Sequence, residues 1–324
     1  MSSRTALGNG AAKPIGRVRE DAAAAPQRQT YRKVFRRRIR FWPVVFITPA
    51  VLLLLAFHFI PVGAGTYFAF TDWGGLGQAR WVGIDNFVKI ANDPRAQGAL
   101  IRTLGIAACF LIVVNVVGIA LAVGLNRVVK TRHILRALIY APAIISPLAV
   151  GLTWQYLLTS NGLVNQVLGV LGLEAWQRSW LADTQTAIWT VLVVLVWQYS
   201  GLAMVIYSAG LQSIQDEYYE AAALDGAGAF AQFRNVTFPL LAPAITVTST
   251  LMLVYGLRVF DQVIALTGGG PVHSSETLAT LVYEETFVLG NYGYGAALAL
   301  TLTVLITGLS FIQLAILRRR EKEY

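Results

Sequence analysis

Charge is scarce in this chain. Asp, Glu, Lys and Arg together make 13% of its 324 residues, against about 25% in an average soluble domain. That is too little to clothe a globular surface. Cysteine occurs once, at Cys109 inside an apolar run. No disulfide can form within the chain, so the cysteine content says nothing about compartment, and Cys109 reads as a small buried residue. The three histidines, His58, His133 and His273, are scattered. No His-Glu-x-x-His pair, Cys-x-x-Cys or Gly-x-Ser-x-Gly elbow occurs. A phosphate loop is also missing: Lys130 is the nearest case, and Val129 stands where a glycine is needed. Metal, nucleophile and nucleotide chemistry therefore have no constellation here. The chain is expected to be no enzyme and to bind no cofactor or metal.

What is abundant is apolar sequence. Hydrophobic residues make 56% of the chain and its mean hydropathy is +0.57. A membrane helix needs about 20 mostly apolar residues. Six runs qualify, near 43–63, 100–125, 138–158, 187–208, 243–264 and 295–317. Pro142 and Pro147 mark the third, and Pro239 and Pro243 precede the fifth; neighbouring helices can satisfy the carbonyls that prolines free.

The net charge of +9 is distributed as membrane topology requires, not as a nucleic-acid footprint. Arg32, Lys33, Arg36, Arg37, Arg38 and Arg40 precede the first run, and Arg318, Arg319, Arg320 and Lys322 follow the last. With the N-terminus inside, inside segments hold twenty basic residues and outside segments four. This bias predicts two cytoplasmic termini and contact with anionic lipid. Residues 1–40 read as a disordered basic tail; the charged leader is too long for a cleaved signal peptide. The segments 69–99, 159–186 and 265–294 are then outside, and 209–242 is inside.

That inner segment contains "EYYEAAALDGAGAF", residues 217–230. Ser213-Ile-Gln-Asp216 fits a capping box, and Asp216 and Glu217 suit a helix start. Gly226 can take the positive φ that ends the helix. A second helix through Phe230, Phe233 and Val236 leads to Pro239. Two readings of this helix-turn-helix stand level: a capped connector without a partner, or a docking surface whose small alanines admit another backbone.

The stretch resembles the EAA loop of ABC importer permeases, in the sugar-permease version. The family pattern falls on Glu220, Ala221, Ala222, Asp225, Gly226, Ala227, Phe233 and Pro239, with Phe238 in place of the usual Leu. "VGIDNF" (82–87), "GLVN" (162–165) and "LTGGGP" (266–271) resemble further landmarks of the maltose-type, multiple-sugar subfamily. The resemblance implies an all-α integral membrane protein over 41–324, a six-span bundle of the type I importer kind. About 211–240 would be a coupling loop that docks on a separate ATP-binding subunit, Glu220 meeting a basic or polar group there. It implies further partners: a second homologous permease, two ATP-binding subunits that hold ATP and Mg, and an extracellular solute-binding protein. The solute would be a sugar or oligosaccharide and the location a bacterial cytoplasmic membrane. Glycerol-3-phosphate permeases share these motifs, so a phosphorylated polyol stays open.

For the solute path, Trp197, Gln198 and Tyr199 on the fourth run and Tyr255 on the fifth offer aromatic faces and hydrogen-bonding groups. Each also suits plain packing. Arg258 and Asp261, three apart on the fifth run, share a face in its outer half. They either shield one another as an ion pair or line a wet cavity. Arg102, at a span end, reads as an interfacial anchor. Trp154 and Tyr156 suit an aromatic belt. Two other classes remain. A secondary transporter would want midplane acids and broken repeats. A membrane scaffold would show association without transport.

Overall fold

The computed structural model describes residues 45–126 and 131–321. The tail 1–40, Lys130 and Lys322 lie outside the described residues. The chain divides at Pro61/Val62 into two units. In the first, the helix that starts at Val45 carries a π turn over Leu55–Phe59.

Among the described residues the architecture is helical, with one isolated bridge between Thr71 and Trp81. We number the helices α1 (Val45–Phe68), α2 (Asp85–Asn92), α3 (Pro94–Asn126), α4 (Arg132–Ile144), α5 (Pro147–Leu157) and α6 (Leu163–Val170). Then come α7 (Ala187–Gln212), α8 (Asp216–Leu224), α9 (Ala229–Leu240), α10 (Ala242–Leu257), α11 (Asp261–Leu266), α12 (Leu278–Tyr283) and α13 (Tyr292–Glu321). Four of these, α1, α3, α7 and α13, are each long and apolar enough to cross a membrane. The described residues reach the expected six spans when each of two bent pairs is taken as one.

Those bent pairs correct two spans read as continuous. In the third, α4 and α5 meet at 98°. Ile145 and Ser146 are extended (ψ 142 and 132), as a residue ahead of Pro147 is pushed to be, and Pro147 then opens α5 where its missing N–H costs nothing. In the fifth, α9 and α10 meet at 69°. That helix ends at Leu257, not near residue 264: Arg258 and Phe260 leave helical geometry and α11 begins afresh at Asp261.

The core lies where α3, α7 and α10 pack. Phe110, Val114, Leu195, Met204, Tyr207 and Met252 are fully or almost fully buried there. Bilayer lipid is as apolar as leucine, so close backbone approach and polar contacts must hold such helices together. Glycines provide the approach. A Cβ on Gly118 would stand 2.6 Å from the Ala203 Cβ, and one on Gly201 only 2.1 Å from the Ile139 carbonyl oxygen. Asn115 provides the polar contact: its Oδ1 accepts from the Tyr207 hydroxyl and, at 3.3 Å, from Ser249.

The loops between these helices are built on the quoted landmark residues. Asn86 of "VGIDNF" donates to the carbonyls of Ala69 and Thr71 at 2.9 and 2.8 Å. Asn165 of "GLVN" accepts from Trp180 Nε1 at 2.8 Å and donates to the carbonyls of Ser160 and Arg178 at 3.0 and 2.9 Å. In "LTGGGP", Gly268 and Gly269 have φ of 60° and 87° and Gly270–Pro271 is cis. These residues shape turns and close loops.

Candidate functional site

The loop between α7 and α10 folds as a helix, a tight turn and a second helix. Helix α8 ends in a Schellman motif: Ala227 N donates to Ala222 O at 2.9 Å and Gly226 N to Ala223 O at 3.0 Å. This closes the last carbonyls of α8 and requires a left-handed residue at Gly226, whose φ is 78°. Asp225 is the C-cap. The start of α8 corrects the expected capping box. Gln215, extended at ψ 141, is the N-cap, with no side-chain hydrogen bond. Ser213 belongs to the end of α7, and its hydroxyl donates back to Gly210 O at 2.7 Å. With helical φ and ψ it cannot reach forward. A capping box does form at Thr277 and Thr280, at the head of α12.

Glu220, Ala221, Asp225 and Gly226 are exposed, and Ala222 and Ala227 half-buried. The same surface leaves Leu224 90% and Phe230 76% exposed. Tyr219 OH and Thr237 Oγ1, 3.1 Å apart, pin α8 to α9. The loop is therefore a braced bracket that presents the carboxylates of Asp216, Glu217, Glu220 and Asp225, small residues and the large apolar side chains of Leu224 and Phe230.

The expected solute-path residues do not gather in one place. Tyr199 and Tyr255 do meet, with ring centroids 5.0 Å apart, and the Phe110 ring lies edge-on to Tyr199 at 5.9 Å. Trp197 turns elsewhere. It packs edge-on against Trp154, centroids 5.3 Å apart, and lines an apolar cleft of about 710 Å³ with Val113, Leu138, Val193 and Val196. Arg258 and Asp261 are both exposed and make no ion pair with each other. The helix break between them removes the shared face. Sequence reasoning missed Gln262 altogether and offered Gln198, with its aromatic neighbours, as a solute contact. Both are buried, and Gln262 Nε2 donates to Gln198 Oε1 at 2.9 Å.

On the side read as outside lies an ion-pair cluster. Arg95 grips Glu276 through Nε–Oε2 at 3.0 Å and Nη2–Oε1 at 2.5 Å, and reaches Glu284 at 2.5 Å. The Glu276 side chain is 2% exposed. Arg102 is no simple anchor: its Nε donates to the Glu276 carbonyl at 2.8 Å. His273, Glu276 and Glu284 place ligand atoms within 4.8 Å of one another, the spacing of a metal seat. The Arg95 guanidinium already pairs with both carboxylates, so the donor set suits an ion-pair knot better than a cation.

The family profile described as "Binding-protein-dependent transport system inner membrane component" matches residues 114–322. Similar relatives cover nearly the whole chain. A probable starch degradation products transport system permease protein of Thermoanaerobacterium thermosulfurigenes is 34% identical over 291 residues, 90% of this chain and 98% of the relative. A multiple sugar-binding transport system permease protein of Streptococcus mutans is 33% identical over 293 residues, 90% and 99% of the two chains. A trehalose/maltose transport system permease protein of Thermococcus litoralis is 29% identical over 279 residues, 85% and 93% of the two. Among solved structures, a bacterial ABC transporter involved in the import of the acidic polysaccharide alginate superposes with a TM-score of 0.77. That match covers 89% of this chain and 99% of the other at 24% identity, a likeness of fold.

Proposed function

The chain belongs to the family of binding-protein-dependent transport system inner membrane components, and from that premise we propose that it is the permease subunit of an importer for a sugar or oligosaccharide. It forms half of the transmembrane path, and a second homologous permease forms the other half. Two separate ATP-binding subunits, which hold ATP and Mg, supply the work. A solute-binding protein outside the membrane delivers the solute. Both termini and the 209–242 segment face the cytoplasm, in a bacterial cytoplasmic membrane.

The observation that carries this reading is the exposed bracket of α8, Gly226 and α9. It presents Glu220, Ala221 and Ala222 beside exposed Leu224 and Phe230, a surface suited to a protein groove that has a cation for Glu220. It is also continuous with a membrane helix, since α9 runs to the bend at Leu241 and α10 follows. A push on the bracket is thus delivered to the span that holds Tyr255. Closure of the ATP-binding subunits draws the loops together and opens the path outward, and hydrolysis resets it. The chain itself makes and breaks no covalent bond. The sugar assignment rests on the relatives, whose names include starch degradation products, multiple sugars and trehalose/maltose.

The test is purification by a tag on this chain. Wild-type chain should bring down ATP-hydrolysing activity. Glu220→Lys, which reverses the charge, and Gly226→Pro, which cannot adopt a φ of 78°, should still insert in the membrane but bring down little or none. Equal activity in both variants would overturn the docking role.

A further inference from the structure

Two breaks in membrane helices are joined by one buried amide pair. The first break, between α4 and α5, leaves the Ile145 carbonyl without its helical partner, and a break within a membrane span must find such a group another one. Gln198, on α7, donates to it through Nε2 at 3.2 Å. The second break lies between α10 and α11. Gln262, in the first turn of α11, donates through Nε2 to Gln198 Oε1 at 2.9 Å.

The direction of this chain is set by chemistry. A carbonyl only accepts, so Gln198 must turn its NH₂ toward Ile145. Its own carbonyl is then left for the Gln262 NH₂. Gln198 is fully buried and Gln262 is 3% exposed, and the walls around them are apolar: Leu195, Val263 and Leu266 are each 1% exposed or less. The backbones leave no slack. A Cβ on Gly151 of α5 would stand 2.4 Å from the Ala265 Cβ of α11.

An apolar pair would fill this space and pack without orientation. Two amides instead fix one geometry, since either alone would leave a buried polar group unpaired. Tyr199 directly follows Gln198 on α7. The Tyr199 ring in turn packs at a tilt against Tyr255, centroids 5.0 Å apart. The buried pair thus adjoins the two aromatic residues of the expected path that the fold does bring together.

We propose that Gln198 and Gln262 are positioning residues of the solute path: an amide clasp that ties the α4/α5 and α10/α11 breaks together across α7 and holds Tyr199, and through it Tyr255, in place. The clasp makes no solute contact itself. Releasing it frees the Ile145 carbonyl, α11 and the tyrosine pair together. The inference rests on reading this chain as a permease, but its test does not.

The test uses the full chain in its native membrane, with Cys109→Ser and Leu251→Cys, a half-buried site one turn before Tyr255 on α10 that leaves the tyrosine pair intact, and measures the rate of modification by N-ethylmaleimide. Gln198→Met and Gln262→Met keep the volume and remove the amides. Each should raise the rate about tenfold, the effect of a lost contact of about 1.4 kcal/mol. The double variant should match the single variants instead of multiplying them, because one clasp is lost once. Gln262→Asn keeps an amide on a shorter arm and should also raise the rate; it decides the matter if the Met variants fail to accumulate. Immunoblots should show equal amounts of chain in the membrane. An unchanged rate in the variants, or a multiplicative double, overturns the clasp. Labelling needs no ATP-binding partner. If Glu220→Lys and Gly226→Pro kept their ATPase, the docking role would fall while the clasp result stood.

Discussion

Glu276 and Arg95 differ in what each leaves behind when the other is removed. The Glu276 side chain is 2% exposed and that of Arg95 24%. Arg95→Ala strands a buried carboxylate near Glu284 and Glu285, with only Arg102 at 3.9 Å and His273 at 3.4 Å to compensate. Removing one partner of a buried pair costs about 3–5 kcal/mol, so a large fall in apparent Tm of the solubilised protein is expected. Glu276→Gln leaves Arg95 with Glu284 and some water, and its fall in Tm should be the smaller. A reversed order would mean that Arg102 or His273, not Arg95, carries the knot. Gly226 is a different kind of residue. Nothing lies within 4 Å of a Cβ added there, so Gly226→Ala meets no atom and bears only the left-handed penalty of about 1–2 kcal/mol. That variant should keep part of the co-purifying ATPase that Gly226→Pro loses. The turn that holds Glu220, Gly226 and the alanines was legible because it closes through neighbours in sequence. Arg95 and Glu276 stand 181 positions apart, and no local pattern links them.

Among the elements, α7 shows how small residues set helix contacts. Gly201 lies against backbone, with a Cβ reaching 2.1 Å from Ile139 O, whereas at Gly118 the nearest atom is the Ala203 Cβ at 2.6 Å. Backbone yields less than a methyl group. Gly201→Ala should therefore push α4 from α7 and cost more than Gly118→Ala, within about 1–3 kcal/mol for overpacking. The fraction of monodisperse protein in size-exclusion chromatography checks that order. The element boundaries show where a hydropathy reading fails. The third and fifth runs were legible as apolar lengths, and their prolines as places of possible interruption. Whether a proline bends a helix by a few degrees or by 98° depends on what receives the freed carbonyl. For Ile145 that group is Gln198, 53 residues away. The same limit undid the shared face of Arg258 and Asp261. The i, i+3 rule holds only within one continuous helix, and that helix stops at Leu257. Ser213 failed as a cap for a related reason: the sequence of a capping box does not say which of two adjoining helices owns the serine.

At the scale of the whole molecule, the proposed orientation can be read from two single thiols in a Cys109→Ser background. Glu220→Cys should be shielded from a membrane-impermeant thiol reagent in intact cells and react once the membrane is opened. Val272→Cys, at a site 87% exposed beside the strained outer turn where Val272 has a φ of 47°, should react in intact cells. Labelling of Glu220→Cys from outside would invert the topology and remove the docking surface from the reach of any cytoplasmic ATPase. Composition, the spacing of apolar runs and the asymmetry of Lys and Arg were enough to establish a multi-pass helical membrane protein. Each of these is a one-dimensional property: hydrocarbon thickness demands a length of apolar chain, and loop charge biases a side. The EAA pattern was legible for the same reason, since it builds its turn from contiguous residues, whereas Asn86 and Asn165 of the loop landmarks close on groups 13 to 17 positions away. Only the tertiary structure decided that two spans are broken, that Trp197 leaves the tyrosine pair, that Arg95 and Arg102 close on Glu276, and that Gln198 meets Gln262. Those outcomes depend on which distant groups satisfy a buried carbonyl, amide or carboxylate, and in a low-dielectric interior that need outweighs local helical preference.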